Sequence, residues 1–61
     1  ALIGSKGIMK LGTDEWNAGE VELRGAIWTA VSVNEKISIS EGEHVRVVAV
    51  SGNKLIVEKE D

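Results

Sequence analysis

Polar and apolar residues alternate along much of the chain. Glu20-Val21-Glu22-Leu23-Arg24 sets two apolar side chains among three charged ones with a period of two. That spacing belongs to a strand with one buried face. Val45-Arg46-Val47 repeats it. Many apolar residues are β-branched, and such side chains lose rotamer freedom in helices but pack well on a pleated surface. Glycines fall between these runs, where turns are needed. The pattern predicts five strands, over residues 3–11, 20–24, 26–33, 44–50 and 54–58. Residues 12–19 read as a loop rich in turn formers, including Thr13, Asp14, Asn17 and Gly19. Gly25 marks a tight hairpin between the second and third strands, and Ser51-Gly52-Asn53 marks one between the fourth and fifth. Residues 34–42 fit two descriptions: a single helical turn at Glu35-Lys36, or an extended edge piece, because Ile37-Ser38-Ile39-Ser40 alternates.

Hairpin parity assigns the faces. A two-residue turn at Arg24-Gly25 or Gly25-Ala26 puts Trp28 and Ala30 on the inward face with Val21 and Leu23; a three-residue turn would flip them. Burying Trp28, the largest side chain in the pattern, favours the two-residue turn. The expected inward set is then Met9, Leu11, Val21, Leu23, Trp28, Ala30, Val45, Val47, Val50, Leu55 and Val57. Ile27, Thr29 and Val31 fall on the outer face. Val47-Val48 breaks the alternation of its strand, which calls for a bulge or for cover on both faces. Five short strands make a poor two-layer sandwich, and a flat sheet would expose its edges. Curling into a barrel buries one face of every strand and removes the edges. The expected fold is all-β, a small five-stranded OB-fold barrel over residues 1–61, with an SH3-like barrel as the alternative.

Composition narrows the chemistry. With 61 residues, no Cys and one His, the chain cannot build a disulfide framework or a Cys/His zinc site. No apolar run approaches the roughly 18 residues of a membrane helix. The net charge of −3 argues against a nucleic-acid surface. So does the scarcity of aromatics: Trp16 and Trp28 are the two present, and Asp14 and Glu15 flank Trp16. His44, the single candidate general base, reads as an exposed polar residue beside Glu43, and the serines lack a Gly-x-Ser-x-Gly context. The acidic residues do not match a calcium loop and read as solvated surface. Gly4, Gly7 and Gly12 lack the Lys-Ser/Thr and helix that a phosphate loop requires; Gly7 reads as a point where a curved barrel backbone crowds or bends. No catalytic residue, metal site or cofactor is expected. Glu58, Glu60 and Asp61 read as a charged tail that frays.

Candidate contact residues remain. Trp16 on its loop is either a partner anchor or a lid folded over an open barrel end. Ile27 and Val31 are outward apolar side chains, which need cover from a partner or from Ile37 and Ile39 in the 34–40 segment.

An ordered set of residues also runs along nearly the whole chain. It begins Leu2-Ile3-Gly4-x-x-Gly7 and continues with Gly19-Glu20-Val21, then Gly25-x-x-Trp28-x-Ala30-x-Ser32. It closes with Gly42-Glu43-x-Val45-x-Val47-Val48-x-Val50-x-Gly52-x-x-Leu55-x-Val57-Glu58. In this order and spacing it resembles the C-terminal soluble domain of the NfeD family. The resemblance implies an OB-fold barrel that follows transmembrane helices, and in longer members a serine-protease domain. It also implies a stomatin- or prohibitin-like membrane protein as partner. Trp16-Asn17-Ala18 departs from relatives that often carry a Pro before the Gly. The chain starts Ala1-Leu2-Ile3 without an initiator Met, so it is expected to be the C-terminal soluble fragment of a longer protein, membrane-associated through helices it does not itself contain. The function expected is a non-catalytic interaction module; the alternative is an OB-fold module for single-stranded nucleic acid or another oligomeric ligand.

Overall fold

The computed structural model describes residues 1–60. Five strands form: β1 (Lys6–Leu11), β2 (Gly19–Leu23), β3 (Ala26–Ser32), β4 (His44–Ser51) and β5 (Lys54–Lys59). They close in the order β1-β2-β3-β5-β4, with β4 returning to β1. All neighbours are antiparallel except β3 and β5, which run parallel from Thr29↔Lys54 to Ser32↔Val57. The expected five-stranded OB-fold-like barrel is the fold observed. The first strand starts later than expected, because residues 2–5 make a turn in which the Ser5 N–H donates to the Leu2 carbonyl. That turn stays tied to β4: the Gly4 N–H donates to Val47 and the Val47 N–H to Ser5.

Both hairpins have two-residue turns. Leu23 pairs with Ala26, leaving Arg24 and Gly25 at φ values of 54° and 77°. Two positive φ values in succession define the type I′ turn, whose twist matches that of the strands it joins. Arg24 accepts a conformation that side chains rarely adopt, and its guanidinium bonds the Ala1 carbonyl and Ser5 Oγ at 3.0 Å each. Ser51 pairs with Lys54, and the positive φ there belongs to Gly52 alone. That is the type II′ arrangement.

The inward face follows the parity argument for most residues. Met9, Val21, Leu23, Ala30, Val45, Val47, Leu55 and Val57 are buried. The other three expected core residues differ, each for a local reason. A bulge at Lys10 makes Leu11 pair with Glu20, an outward residue, so Leu11 turns out and is 53% exposed. A second bulge, at Val48, keeps Val50 paired with the buried Leu55, but Val50 lies next to the β4–β5 turn at the barrel end and remains 46% exposed. Trp28 faces inward yet is only half-buried. It packs against the core beside Leu2, and its indole N–H reaches the Leu23 carbonyl at 3.4 Å. Trp28 therefore covers one end of the core and does not fill its centre.

The ninth apolar core residue is Ile39, 1% exposed. Residues 34–42 form no edge strand; Glu35-Lys36 make a single turn, closed by the Ile37 N–H to the Asn34 carbonyl at 2.9 Å, and the rest is turns and irregular backbone. Ile39 enters the barrel because Thr13 holds its backbone from both sides. The Thr13 N–H donates to the Ile39 carbonyl at 2.8 Å, and the Ile39 N–H donates to Thr13 Oγ1 at 3.1 Å. The segment thus plugs the core and leaves Ile27 uncovered at 55% exposure.

Close approach explains two glycines. A Cβ at Gly7 would lie 2.6 Å from the Glu22 carbonyl oxygen and 2.8 Å from Val21 Cγ2. One at Gly19 would fall on the Leu11 carbonyl oxygen. These contacts let β1 curve tightly against β2, as expected of Gly7. The C-terminal carboxylates are ordered where fraying was expected: β5 includes Glu58, and the Glu60 N–H donates to the His44 carbonyl at 2.9 Å. Asp61 lies outside the described residues.

These placements predict an order of mutational cost. Ile39→Ala should lower the unfolding free energy by about 2–5 kcal/mol, the range for emptying a buried aliphatic site. Leu11→Ala should change it by about 0.5 kcal/mol or less. Trp28→Ala, at a half-buried site, should fall between them. Urea denaturation of the three variants measures this, and a Leu11 cost exceeding that of Ile39 would contradict the bulge.

Candidate functional site

The loop between β1 and β2 is organised by one carboxylate. Asp14 Oδ1 accepts the Trp16 N–H at 2.8 Å and the Asn17 N–H at 2.7 Å, and both Asp14 oxygens accept from Asn17 Nδ2 at 3.1 Å. The Asp14 N–H in turn donates to the Asn17 carbonyl at 3.0 Å. An aspartate that collects the N–H groups two and three residues on is an Asx turn, a closed local structure requiring no wider support. The Asn17 side-chain amide, then the Trp16 and Asn17 N–H groups, hold the Asp14 carboxyl below the ordinary carboxylate range.

Trp16 stands at the crest of this turn, 84% exposed. It does not fold back over the barrel end, since Ile39 and Thr13 occupy that place. Beside it is a groove of about 290 Å³, lined by the 13–18 loop, by Val31 and Ser32 of β3, by Glu35 and by Lys54. Trp16 and Val31 are therefore brought together. Ile27 is not: it lies on the same face of β3, four residues and roughly 13 Å from Val31 along the strand. Its cross-strand neighbour is Glu22, which pairs with Lys10 at 3.2 Å.

Glu35 and Lys54 join this surface without having been expected there. Lys54 arrives through the parallel β3–β5 pairing, a long-range contact with no local signature. Asp14 had read as a turn former and a solvated acid, and the Asp-x-Trp-Asn order carried the signal of an Asx turn.

His44 is exposed on β4, next to Lys6, Glu43 and Glu60 on a shallow surface. Among the described residues, no three His, Cys, Asp or Glu side chains lie close enough to hold a metal ion. No buried side-chain polar atom among them lacks a hydrogen-bond partner.

The chain is similar to known proteins along nearly its whole length. The family model described as "NfeD-like C-terminal, partner-binding domain" matches residues 1–59. Three solved structures share the fold. The C-terminal domain of stomatin operon partner protein 1510-C from Pyrococcus horikoshii is 36% identical, with a TM-score of 0.85 over 98% of this chain and 89% of that one. The soluble domain of a membrane protein implicated in regulation of membrane protease activity from Corynebacterium glutamicum is 33% identical, with a TM-score of 0.90 over 98% and 94%. The soluble domain of the NfeD protein YuaF from Bacillus subtilis is 28% identical, with a TM-score of 0.80 over 93% and 71%. No curated protein matches the chain at a significant level.

The Asx turn predicts a pH dependence. The carboxyl is held below its unfolded value of about 3.9. Its contribution to loop order is complete above that value and is lost as pH falls through the lower folded value. The Trp16 and Asn17 amide resonances should titrate together with a midpoint below about 3.9. Amide NMR between pH 2 and pH 6 (a range of about four units) measures it, and a midpoint at or above the unfolded value would contradict the turn.

Proposed function

The chain belongs to the family of NfeD-like C-terminal, partner-binding domains, and we propose that it is a non-catalytic protein-interaction module whose partner is a stomatin- or prohibitin-like membrane protein. The observation that carries this reading is Trp16, a large apolar side chain fixed in an exposed position by the Asx turn of Asp14. An exposed tryptophan on an ordered loop provides much contact area at small entropic cost, and such residues dominate binding energy at protein interfaces. Val31 lies beside it across the groove. Ile27 is a separate and weaker candidate, since its surroundings are the charged pair of Glu22 and Lys10.

The domain works as the soluble end of a membrane-anchored protein. Two relatives are described as soluble domains, one of them of a membrane protein and the other of an NfeD protein. Among the described residues no helix is long and apolar enough to cross a membrane, so on this reading anchoring belongs to a segment preceding the barrel. No cofactor is required. Single-stranded nucleic acid is a poor fit to the Trp16 surface, because Asp14, Glu15 and Glu35 would face the phosphates.

The test is capture of a stomatin-like protein from membranes by the immobilised domain. Trp16→Ala, first shown by thermal unfolding to keep its fold, should lower capture by about tenfold or more, the effect of removing an interface hot spot. Ile27→Ser should lower it less. Normal capture by folded Trp16→Ala would remove this surface from the interface, and no capture by the unmodified domain would refute the partner. In a parallel titration at physiological salt, single-stranded DNA should not bind; micromolar affinity with a steep salt slope would favour the nucleic-acid alternative.

A further inference from the structure

The charges of the barrel are paired unevenly. Around β1, β4 and β5, Lys6 meets Glu60 at 3.1 Å, Lys59 meets Glu43 at 3.6 Å, and Arg46 pairs with Glu58 and, at 3.9 Å, with Glu60. Lys10 meets Glu22. Four of the seven Lys and Arg side chains are thereby matched to carboxylates. The groove beside Trp16 is different. Three carboxylates, Asp14, Glu15 and Glu35, line it against a single cation, Lys54, and no salt bridge joins any of the four to another described residue. The apolar part of the groove is the Trp16 indole with Val31.

Excess negative charge around an exposed aromatic face has a chemical complement. A Lys or Arg side chain offers an aliphatic stem for Val31, a cation for the indole face, and charge for the carboxylates. Arginine adds a planar fork that binds a carboxylate through two hydrogen bonds. Resting on the partner-binding reading above, we propose that this groove takes an extended basic segment of the partner protein, with an arginine or lysine seated on Trp16 between Glu15 and Glu35. Asp14 contributes field, and its Oδ2, which accepts only the Asn17 Nδ2 bond, keeps a lone pair for the cation. Lys54 faces the segment from the β5 side and selects against basic residues placed too close to that rim. An acidic or phosphorylated segment would meet three like charges and be excluded.

The test uses the domain and three capped pentapeptides, Gly-Arg-Gly-Arg-Gly and its counterparts with Gln or Glu in place of Arg, followed by NMR. The arginine peptide should shift the Trp16 indole N–H and Val31 methyl resonances saturably, and added salt should weaken the effect. The Glu15→Gln/Glu35→Gln double variant should weaken it by about three- to tenfold, the effect of two exposed charge pairs. The glutamine and glutamate peptides should leave both signals in place. Equal shifts by the glutamine peptide would assign the groove to apolar segments and overturn the proposal. So would arginine-peptide shifts elsewhere on the barrel, or shifts that survive unchanged in the double variant. Capture of the stomatin-like protein separates the two claims. If the unmodified domain captures it and the double variant captures it equally well, the basic-segment proposal fails while partner binding stands. If the unmodified domain captures nothing, the partner reading fails, and the peptide titration alone decides whether the groove selects cations.

Discussion

The barrel depends on its closure between β1 and β4, by which every strand pairs on both of its edges. β1 bonds β2 on one side and β4 on the other, and it has six residues in which to do so. Such a strand must curve sharply, and curvature brings backbones closer than a Cβ allows. Gly7 and Gly19 sit at the points of closest approach, against the Glu22 and Leu11 carbonyls. The bulge at Lys10 completes the bend. Closure leaves no long unpaired edge in a chain too short to cover one with another layer.

The same bend determines where the candidate contact loop stands. Past the bulge, β1 runs out at Leu11, and Gly12 passes directly under the Ile39 carbonyl. Thr13 then bonds the Ile39 backbone in both directions, so the β1–β2 loop and the β3–β4 connection support each other at one end of the barrel. With Ile39 filling that end, Trp16 is not needed for the core. The Asx turn of Asp14 holds it outward instead. An exposed tryptophan would be an aggregation risk without a binding role, since burying a large apolar side chain is favourable wherever a surface permits it.

Much of this was legible in the chain. The period of two from Glu20 to Arg24, together with a two-residue turn at Gly25, established the inward direction of Trp28, and the structure places that turn at Arg24-Gly25. The break at Val47-Val48 announced a bulge or cover on both faces, and a bulge forms there. What was not legible depends on pairings distant in sequence. Leu11 obeys the alternation of its own strand, and nothing near it signals that β2 forces a bulge at Lys10. Ile37 and Ile39 have the same local pattern, yet Thr13 pulls only Ile39 inside; Ile37 stays 46% exposed. At the proposed contact surface, Trp16 and Val31 stood out as candidates from their own properties. Glu35 and Lys54 did not, because the β3–β5 pairing and the turn after β3 bring them there.

The central claim is that Trp16 is held outward, free of the core, in order to be covered by a partner. Its fluorescence tests that most directly, in a Trp28→Phe background where it is the sole emitter. Acrylamide should quench it readily in the free domain, with anisotropy close to that of the whole barrel because the turn holds the loop. On addition of membranes carrying a stomatin-like protein, the quenching should fall sharply. Protection already present in the free domain would contradict the exposed anchor, and unchanged quenching in a complex that demonstrably forms would place the interface elsewhere.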